Sequence, residues 1–476
     1  MSEIAKGINV VVIGAGPGGY AAAFLAADLG MNVTLVDPEE NPGGVCLYRG
    51  CIPSKALLHV AKLIDETSHA HNWGVTFQKP EIDLDKLRAF KDKVVNQMTG
   101  GTGQLVKHRK INHIRGHAKF LSSTEMEIIT VDDKKEKLTF QYAIIATGSR
   151  PIDIPSLIPD SPRIMNSTGA LQLEEIPKSL LIMGGGVIGL EMGSVYSTLG
   201  SETSIVEMLP GIIPGADRDL VRILQKSVEH KYKKIMTSTK VVSMKDVSNG
   251  IKVSFETAEG ETFEEKYDKV LVTIGRTPNS GGLGLENTNV RVDGKGFIQA
   301  DIHQRTHEPN IFAIGDVVGN PMLAHKASHE GHVAVEVIAG HKAAFEPNAI
   351  PAVVYTDPEL AWCGLTETEA KDQNIDVAVQ RFPWAASGRA VTMERTDGLT
   401  KLIIDPQSER ILGMGIVGVG AGELISEGVL AVEMAALASD IKMSIHPHPT
   451  ISETVMESAE MFYGTATHVY RPRRKQ

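Results

Sequence analysis

The stretch Ile8-Asn9-Val10-Val11-Val12-Ile13-Gly14-Ala15-Gly16-Pro17-Gly18-Gly19 decides the fold. Its β-branched first half reads as a strand. The glycines that follow permit a sharp turn and a close approach of backbone to a bound group. Tyr20 to Leu29 is alanine-rich and reads as a helix that Gly30 closes; Asn32 to Val36 is the next strand, and Asp37 ends it. This is a βαβ unit. A G-x-G-x-x-G turn between strand and helix sets a pyrophosphate on the free amides of the helix N-terminus. The acid at the end of the second strand takes ribose hydroxyls. Gly14, Gly16, Gly19 and Asp37 are the candidate residues of this first site.

The pattern returns further along the chain. Leu180 to Met183 is a strand, Gly184-Gly185-Gly186-Val187-Ile188-Gly189 is the turn, Leu190 to Leu199 is a helix stopped by Gly200, and Thr203 to Val206 leads to Glu207. Each acid stands at the same offset from the first glycine of its turn. One such motif is weak evidence; two with full context predict two dinucleotide sites. Gly184, Gly186, Gly189 and Glu207 form the second. A 2′-phosphate at Glu207 would face a carboxylate with no arginine among the next few residues, so NAD is expected rather than NADP.

At 476 residues the chain is too long for one core. A net charge of −10 disfavours nucleic acid. The basic run Arg471-Pro472-Arg473-Arg474-Lys475 reads as a solvated tail. No apolar run reaches the ~20 residues of a membrane span, and the first strand starts too early for a secretory signal. The expectation is a cytoplasmic protein without membrane or nucleic-acid partners. After residue 350, strands alternate with two helices, roughly Ala421 to Ala438 and Ser452 to Phe462, which reads as a separate α+β domain.

Three cysteines occur, Cys46, Cys51 and Cys363. Cys46 and Cys51 lie in Gly43-Gly44-Val45-Cys46-Leu47-Tyr48-Arg49-Gly50-Cys51-Ile52-Pro53-Ser54-Lys55, close enough for a disulfide if the chain curls back. A metal site needs more ligands than this neighbourhood offers, so a redox disulfide fits better and no metal is expected. The helical pattern downstream puts Cys51 near a helix N-terminus, where dipole and free amides stabilise a thiolate. Cys363 sits in an apolar strand and reads as core.

Near the C-terminus, His446-Pro447-His448-Pro449-Thr450-Ile451-Ser452-Glu453 contains a T-x-x-E capping box. Pro449 keeps His448 outside the helix. A carboxylate beside that imidazole would make it a general base.

The cysteine segment, the two nucleotide motifs and the His-Pro-Thr-x-x-Glu stretch together resemble the class I pyridine nucleotide-disulfide oxidoreductases. The resemblance implies an α/β fold with two Rossmann-like dinucleotide-binding domains, for FAD and NAD, plus a C-terminal α+β dimerisation domain. The implied boundaries are 1–149 for FAD, 150–278 for NAD, 279–349 completing the FAD domain and 350–476 for the interface. By resemblance Cys46 exchanges with the substrate thiol and Cys51 lies against the flavin. His448 and Glu453 complete the active site of the other subunit of a homodimer. Lys55 pairs with Glu191. Thr147, Gly148, Asp316 (closing Thr306 to Asp316, similar to a second FAD motif) and Ala324 join Lys55 at FAD; Glu191 and Gly275 join the NAD set.

Within the family, Glu207, the intact cysteine pair and a C-terminus without further thiols point to the NAD-linked branch. That branch oxidises dihydrolipoamide on the lipoyl domains of a 2-oxo acid dehydrogenase or glycine cleavage complex. The alternatives are a glutathione- or mercuric-reductase-like enzyme and a catalytically idle scaffold. The chain departs from the family pattern at Val45, commonly Thr; at Tyr48-Arg49, usually small or neutral; and at Asp37, more often Glu.

Overall fold

The computed structural model describes residues 5–470. The basic run from Arg471 lies outside the described residues. Among them no helix is long and apolar enough to cross a membrane.

The strand Asn9–Ile13 is central to a five-stranded sheet in the order Ile311–Ala313, Tyr142–Ile145, Asn9–Ile13, Asn32–Val36, Asn112–Ile114, all parallel. Parallel sheets covered on both faces need runs of apolar residues rather than alternation. Val10 and Val12 pack into a core with Ala22, Ala26 and Val335 from the helices Pro17–Asp28 and Ala324–Ile338. Val11 and Ile13 enter a different core with Phe120, Met126 and Ile128 from the antiparallel sheet on the other face. The strand at 311–313 and the helix after it thus return to the first sheet, long after the chain has left it.

The second sheet repeats the plan, with Ser179–Met183 between Glu202–Val206 and Lys269–Val272. Leu180 and Ile182 face one core, Leu181 another. The C-terminal unit is an antiparallel sheet, ordered Ala352–Val354, Glu359–Gly364, Ile411–Gly418, Leu399–Ile404, Ala378–Pro383, packed by helices. Cys363, 1% exposed, lies in that core, and burial pushes its thiol up to about 12.

Two local expectations change. The helix expected over Ala421 to Ala438 ends at Glu433 and a second runs Ala438–Met443. Ala435 adopts a left-handed φ of 52°, and the Ala436 carbonyl turns out to accept from the Ile411 amide at 2.9 Å. That bond to the sheet replaces continued helix, with no Gly or Pro to mark it. The last helix starts at Glu453, after Ser452, with no side-chain cap. Thr450 Oγ1 donates to the Pro447 carbonyl at 2.7 Å, so only half of the expected capping box forms.

Candidate active site

The two glycine turns share one construction. Gly14 and Gly184 take positive φ values of 97° and 112°, and their amides donate to Val36 O and Val206 O, both at 2.8 Å. A Cβ on Gly14 would stand 2.4 Å from Ala146 O, and one on Gly184 2.5 Å from Thr273 O. The third glycines, Gly19 and Gly189, press on the first: their Cβ atoms would lie 1.9 and 2.1 Å from the carbonyls of Gly14 and Gly184. The middle glycines, Gly16 and Gly186, face open space with nothing within 4 Å. Each caps its helix without a side chain, leaving the first-turn amides unclaimed. Elsewhere Asp83, Asn166, Thr366 and Ser387 do supply side-chain caps.

The acids are also placed alike. Asp37 accepts from the Ala15 amide at 2.7 Å and the Glu39 amide at 3.0 Å. Glu207 accepts from the Gly185 and Leu209 amides, both at 2.8 Å. Burial raises the Asp37 carboxyl despite its two amide donors. Arg218, the first arginine beyond Glu207, is spent on the carbonyls of Ile212, Ile213 and Ala216.

Cys46 lies in the short helix Gly44–Arg49, and Cys51 opens the helix Cys51–His69. Gly44 seats the first helix on the first nucleotide turn: a Cβ there would be 2.5 Å from Gly16 Cα. Gly50 lets the chain fold back, since a Cβ would lie 2.9 Å from Val45 O and 3.4 Å from Cys46 Cα. Cys46 and Cys51 are both free thiols. The neighbouring Cys46 thiol, aided by the Lys55 ammonium and opposed by burial, lowers the Cys51 thiol to about 7. The same contact, together with burial, holds the Cys46 thiol above its ordinary value.

Lys55 Nζ donates to both oxygens of Glu191 at 2.9 Å, so the expected pair forms. Glu191 also accepts from Ser54 Oγ at 2.8 Å and the Tyr355 amide at 3.2 Å.

The two histidines part company. His446 is tied by Nε2 to Glu427 Oε1 at 2.8 Å and by Nδ1 to Ser444 O at 2.9 Å. His448 keeps an exposed imidazole, with Nδ1 2.9 Å from Glu453 Oε1. The other oxygen of Glu453 takes the Thr450 amide at 2.9 Å. Burial pushes the Glu453 carboxyl up, but the amide and the imidazole outweigh it and hold it low.

Residues 8–331 match the pyridine nucleotide-disulphide oxidoreductase family model, and residues 350–459 match that family's dimerisation domain. The chain belongs to the pyridine nucleotide-disulphide oxidoreductase family. It is 49% identical to the dihydrolipoyl dehydrogenase of Vibrio cholerae and 50% identical to that of Haemophilus influenzae, each alignment covering 98% of both chains. The Thermus scotoductus enzyme of the same name is 45% identical over 98% of this chain and 99% of its own. Among solved structures, LpdA from Mycobacterium tuberculosis superposes with a TM-score of 0.89 at 24% identity, covering 95% of this chain and 99% of that one, a likeness of fold. The HOCl-induced flavoprotein disulfide reductase RclA from Escherichia coli gives 0.83 at 26% identity, covering 94% of this chain and 98% of that one.

Of the remaining named residues, Thr147, Gly148, Asp316 and Ala324 fall around the first sheet, and Gly275 follows the strand Lys269–Val272 of the second. Thr147 and Gly148 are laced to Asn279: Thr147 Oγ1 donates to Asn279 O at 2.8 Å, and the Asn279 amide to Gly148 O at 2.9 Å. Asp316 accepts from Ser149 Oγ, and Arg276 Nε stands 3.9 Å away. Ala324 opens an uncapped helix. Gly275 lines a cleft of about 820 Å³ with Arg150, Arg276, Phe297 and Met322. The open glycines, free helix ends and paired acids fit two dinucleotides, FAD and NAD.

Ser54, Ser149, Arg276, Glu330 and Tyr355 had no signal as site residues. Glu330, 3% exposed, accepts the Gly315 amide at 2.6 Å and pairs with Lys326. The acidic group Asp217, Asp219 and Glu367 has ligand-like spacing. Its centre is taken by Lys401 Nζ, 2.7 Å from Asp217 and 3.1 Å from Asp219.

Proposed function

We propose that this chain is a dihydrolipoyl dehydrogenase. It oxidises dihydrolipoamide carried on the lipoyl domains of a 2-oxo acid dehydrogenase or glycine cleavage complex, with NAD as acceptor, as a cytoplasmic homodimer. The observation that carries the reading is the thiol pair seated through Gly44 on the first nucleotide turn, with the Cys51 thiol lowered to about 7. Near-complete alignment with dihydrolipoyl dehydrogenases supports the substrate.

FAD would be held by Gly14, Gly16, Gly19, Asp37, Lys55, Thr147, Gly148, Asp316 and Ala324, and supplies two-electron transfer from the thiol pair to NAD. NAD would lie on Gly184, Gly186, Gly189, Glu207 and Gly275, with Glu191 behind. The rest is thiol–disulfide exchange. In the oxidised enzyme the partner subunit's His448, oriented by the partner subunit's Glu453, would take the proton of one substrate thiol. The thiolate attacks Cys46 Sγ, the Cys46–Cys51 bond breaks, and Cys51 leaves as a thiolate stabilised by Lys55 and its helix N-terminus. The second substrate thiol then attacks the mixed disulfide and releases lipoamide, with Cys46 as the leaving thiol.

The test is steady-state turnover of the purified protein. Dihydrolipoamide with NAD should be oxidised, and Cys46→Ser should abolish this while leaving some flavin-mediated NADH oxidation. Robust reduction of glutathione disulfide by NADPH, with none of the lipoamide reaction, would overturn the reading.

A further inference from the structure

Between the cysteines, the two residues that depart from the family pattern both reach away from the thiols. Arg49 Nη2 is ion-paired with Glu39. Tyr48 OH donates to Asn41 O at 3.0 Å and receives the Asn41 amide at 3.3 Å. Glu39 and Asn41 lie two and four residues beyond Asp37, the acid of the first nucleotide turn. The Glu39 amide donates to Asp37 Oδ1 at 3.0 Å, while Asp37 Oδ2 holds the Ala15 amide of the turn at 2.7 Å. An unbroken line of bonds therefore runs from the inter-cysteine helix to the glycine turn.

This loop is backed from behind. Thr102 Oγ1 donates to Pro42 O, and Gly103 comes so close that a Cβ there would lie 1.9 Å from Asn41 Oδ1. Both residues lie on the helix Leu84–His108, so the loop packs against that helix. Movement of the 39–41 loop must therefore be shared with the residues clasped to it. The arginine works here by position: its charge is matched by Glu39, and the cation acting on Cys51 is Lys55.

We propose that Tyr48 and Arg49 are positioning residues that clasp the redox loop to the adenosine end of the first dinucleotide site, coupling FAD binding to the geometry of the thiol pair. This rests on reading that site as the FAD site. Such coupling is reciprocal: FAD that orders residues 37–41 also orders residues 44–50, and the state of the thiols alters FAD affinity. Arg49 and Glu39 are partly exposed, at 40% and 26% of their side chains, so the pair adds little to global stability. Its effect is local.

The experiment compares wild type, Arg49→Gln, Glu39→Gln, their double variant, Tyr48→Phe and Arg49→Lys. Apoprotein is titrated with FAD by flavin fluorescence. The thiol–disulfide midpoint is read in dithiol redox buffers by alkylation, with and without FAD. Each of Arg49→Gln, Glu39→Gln and Tyr48→Phe should weaken FAD binding by about three- to fivefold and shrink the FAD-dependent difference in midpoint. Arg49→Lys should restore most of both. The double variant should be no weaker than either single, because both remove the same bond. Unchanged FAD affinity, an additive double variant, or an unchanged difference in midpoint would overturn the clasp. Wild-type apoprotein that binds no FAD would overturn the functional reading with it; normal FAD binding and lipoamide turnover with indifferent variants would overturn the clasp alone.

Discussion

Lys55 and Glu191, 136 residues apart, meet with Nζ 2.9 Å from both carboxylate oxygens. Lys55 is on the redox helix and Glu191 on the helix of the second nucleotide unit. The Tyr355 amide, from the C-terminal domain, bonds the same carboxylate at 3.2 Å, and the Tyr355 ring lies 4.4 Å from the ammonium. Glu191 is 3% exposed. A buried carboxylate needs such partners, so it fixes three parts of the chain around one cation.

After the neighbouring Cys46 thiol, that cation is the next influence that lowers the Cys51 thiol. In the wild type the Cys51 thiolate is present above about 7 and lost as pH falls below it. Lys55→Met removes a lowering influence, so the titration should move up by about one unit. Glu191 acts in the opposite sense on Cys51, so Glu191→Gln should move it down. Ultraviolet thiolate absorbance of the reduced protein against pH reads both. Shifts of the same sign in the two variants would contradict the assignment.

The middle and last glycines of the second turn should fail differently. Gly186 has open space where a Cβ would go, and Gly189 has the Gly184 carbonyl at 2.1 Å. Gly186→Ala should fold with an unchanged melting temperature and raise the KM for NAD by about tenfold or more, because the methyl occupies the pyrophosphate approach. Gly189→Ala should lose about 2 kcal/mol or more of stability, since the backbone has to open. A Gly186→Ala protein with normal NAD kinetics would place the dinucleotide elsewhere.

The nucleotide turns and the thiol pair were legible because each is local: strand, turn, helix and acid follow one another, so spacing alone brings them together. The same holds for His448, Thr450 and Glu453, although the sequence overstated the capping box. Ser149 and Arg276 around Asp316, Glu330 on the Gly315 amide and Tyr355 on Glu191 were not legible. Their partners are set by how separate elements pack, and no periodicity records that. Lys401 shows the limit well. It lies in Leu399–Ile404, a strand buried at every position, where an alternating reading would turn a lysine to solvent.

Lys401, 0% exposed in its side chain, joins Asp217 and Asp219 of the second nucleotide unit to Glu367 of the C-terminal unit, with Arg381 on Asp219 and Glu367. Burial pushes both aspartates up, but Lys401 and the other donors win and hold them below the ordinary range. Carboxyls lowered in the fold contribute stability that is present above their unfolded pKa and lost as pH falls through the folded value, here below about pH 4. Lys401→Met leaves buried carboxylates facing one another and should cost about 3 kcal/mol at neutral pH. The deficit should narrow in acid as they protonate. Denaturant melts at several pH values measure this; a deficit that is constant with pH would mean lost packing alone. A chelator should leave wild-type stability unchanged, since the lysine fills the space a cation would need.

His446 and His448 stand two residues apart with opposite fates, and that contrast gives the sharpest functional test. His446 uses both ring nitrogens on Ser444 and Glu427 and is 7% exposed in its side chain. His448 spends only Nδ1, on Glu453, and is 71% exposed, so its Nε2 has no partner among the described residues. His448→Gln should lower kcat for dihydrolipoamide by about 10²-fold or more with little change in melting temperature. His446→Gln should keep most of kcat and lose about 1 kcal/mol of stability. Glu453→Gln keeps an acceptor for the Thr450 amide but loses the charge beside the imidazole, so its kcat should fall between the two. If His446→Gln were the variant that lost turnover, the base would have been assigned to the wrong imidazole.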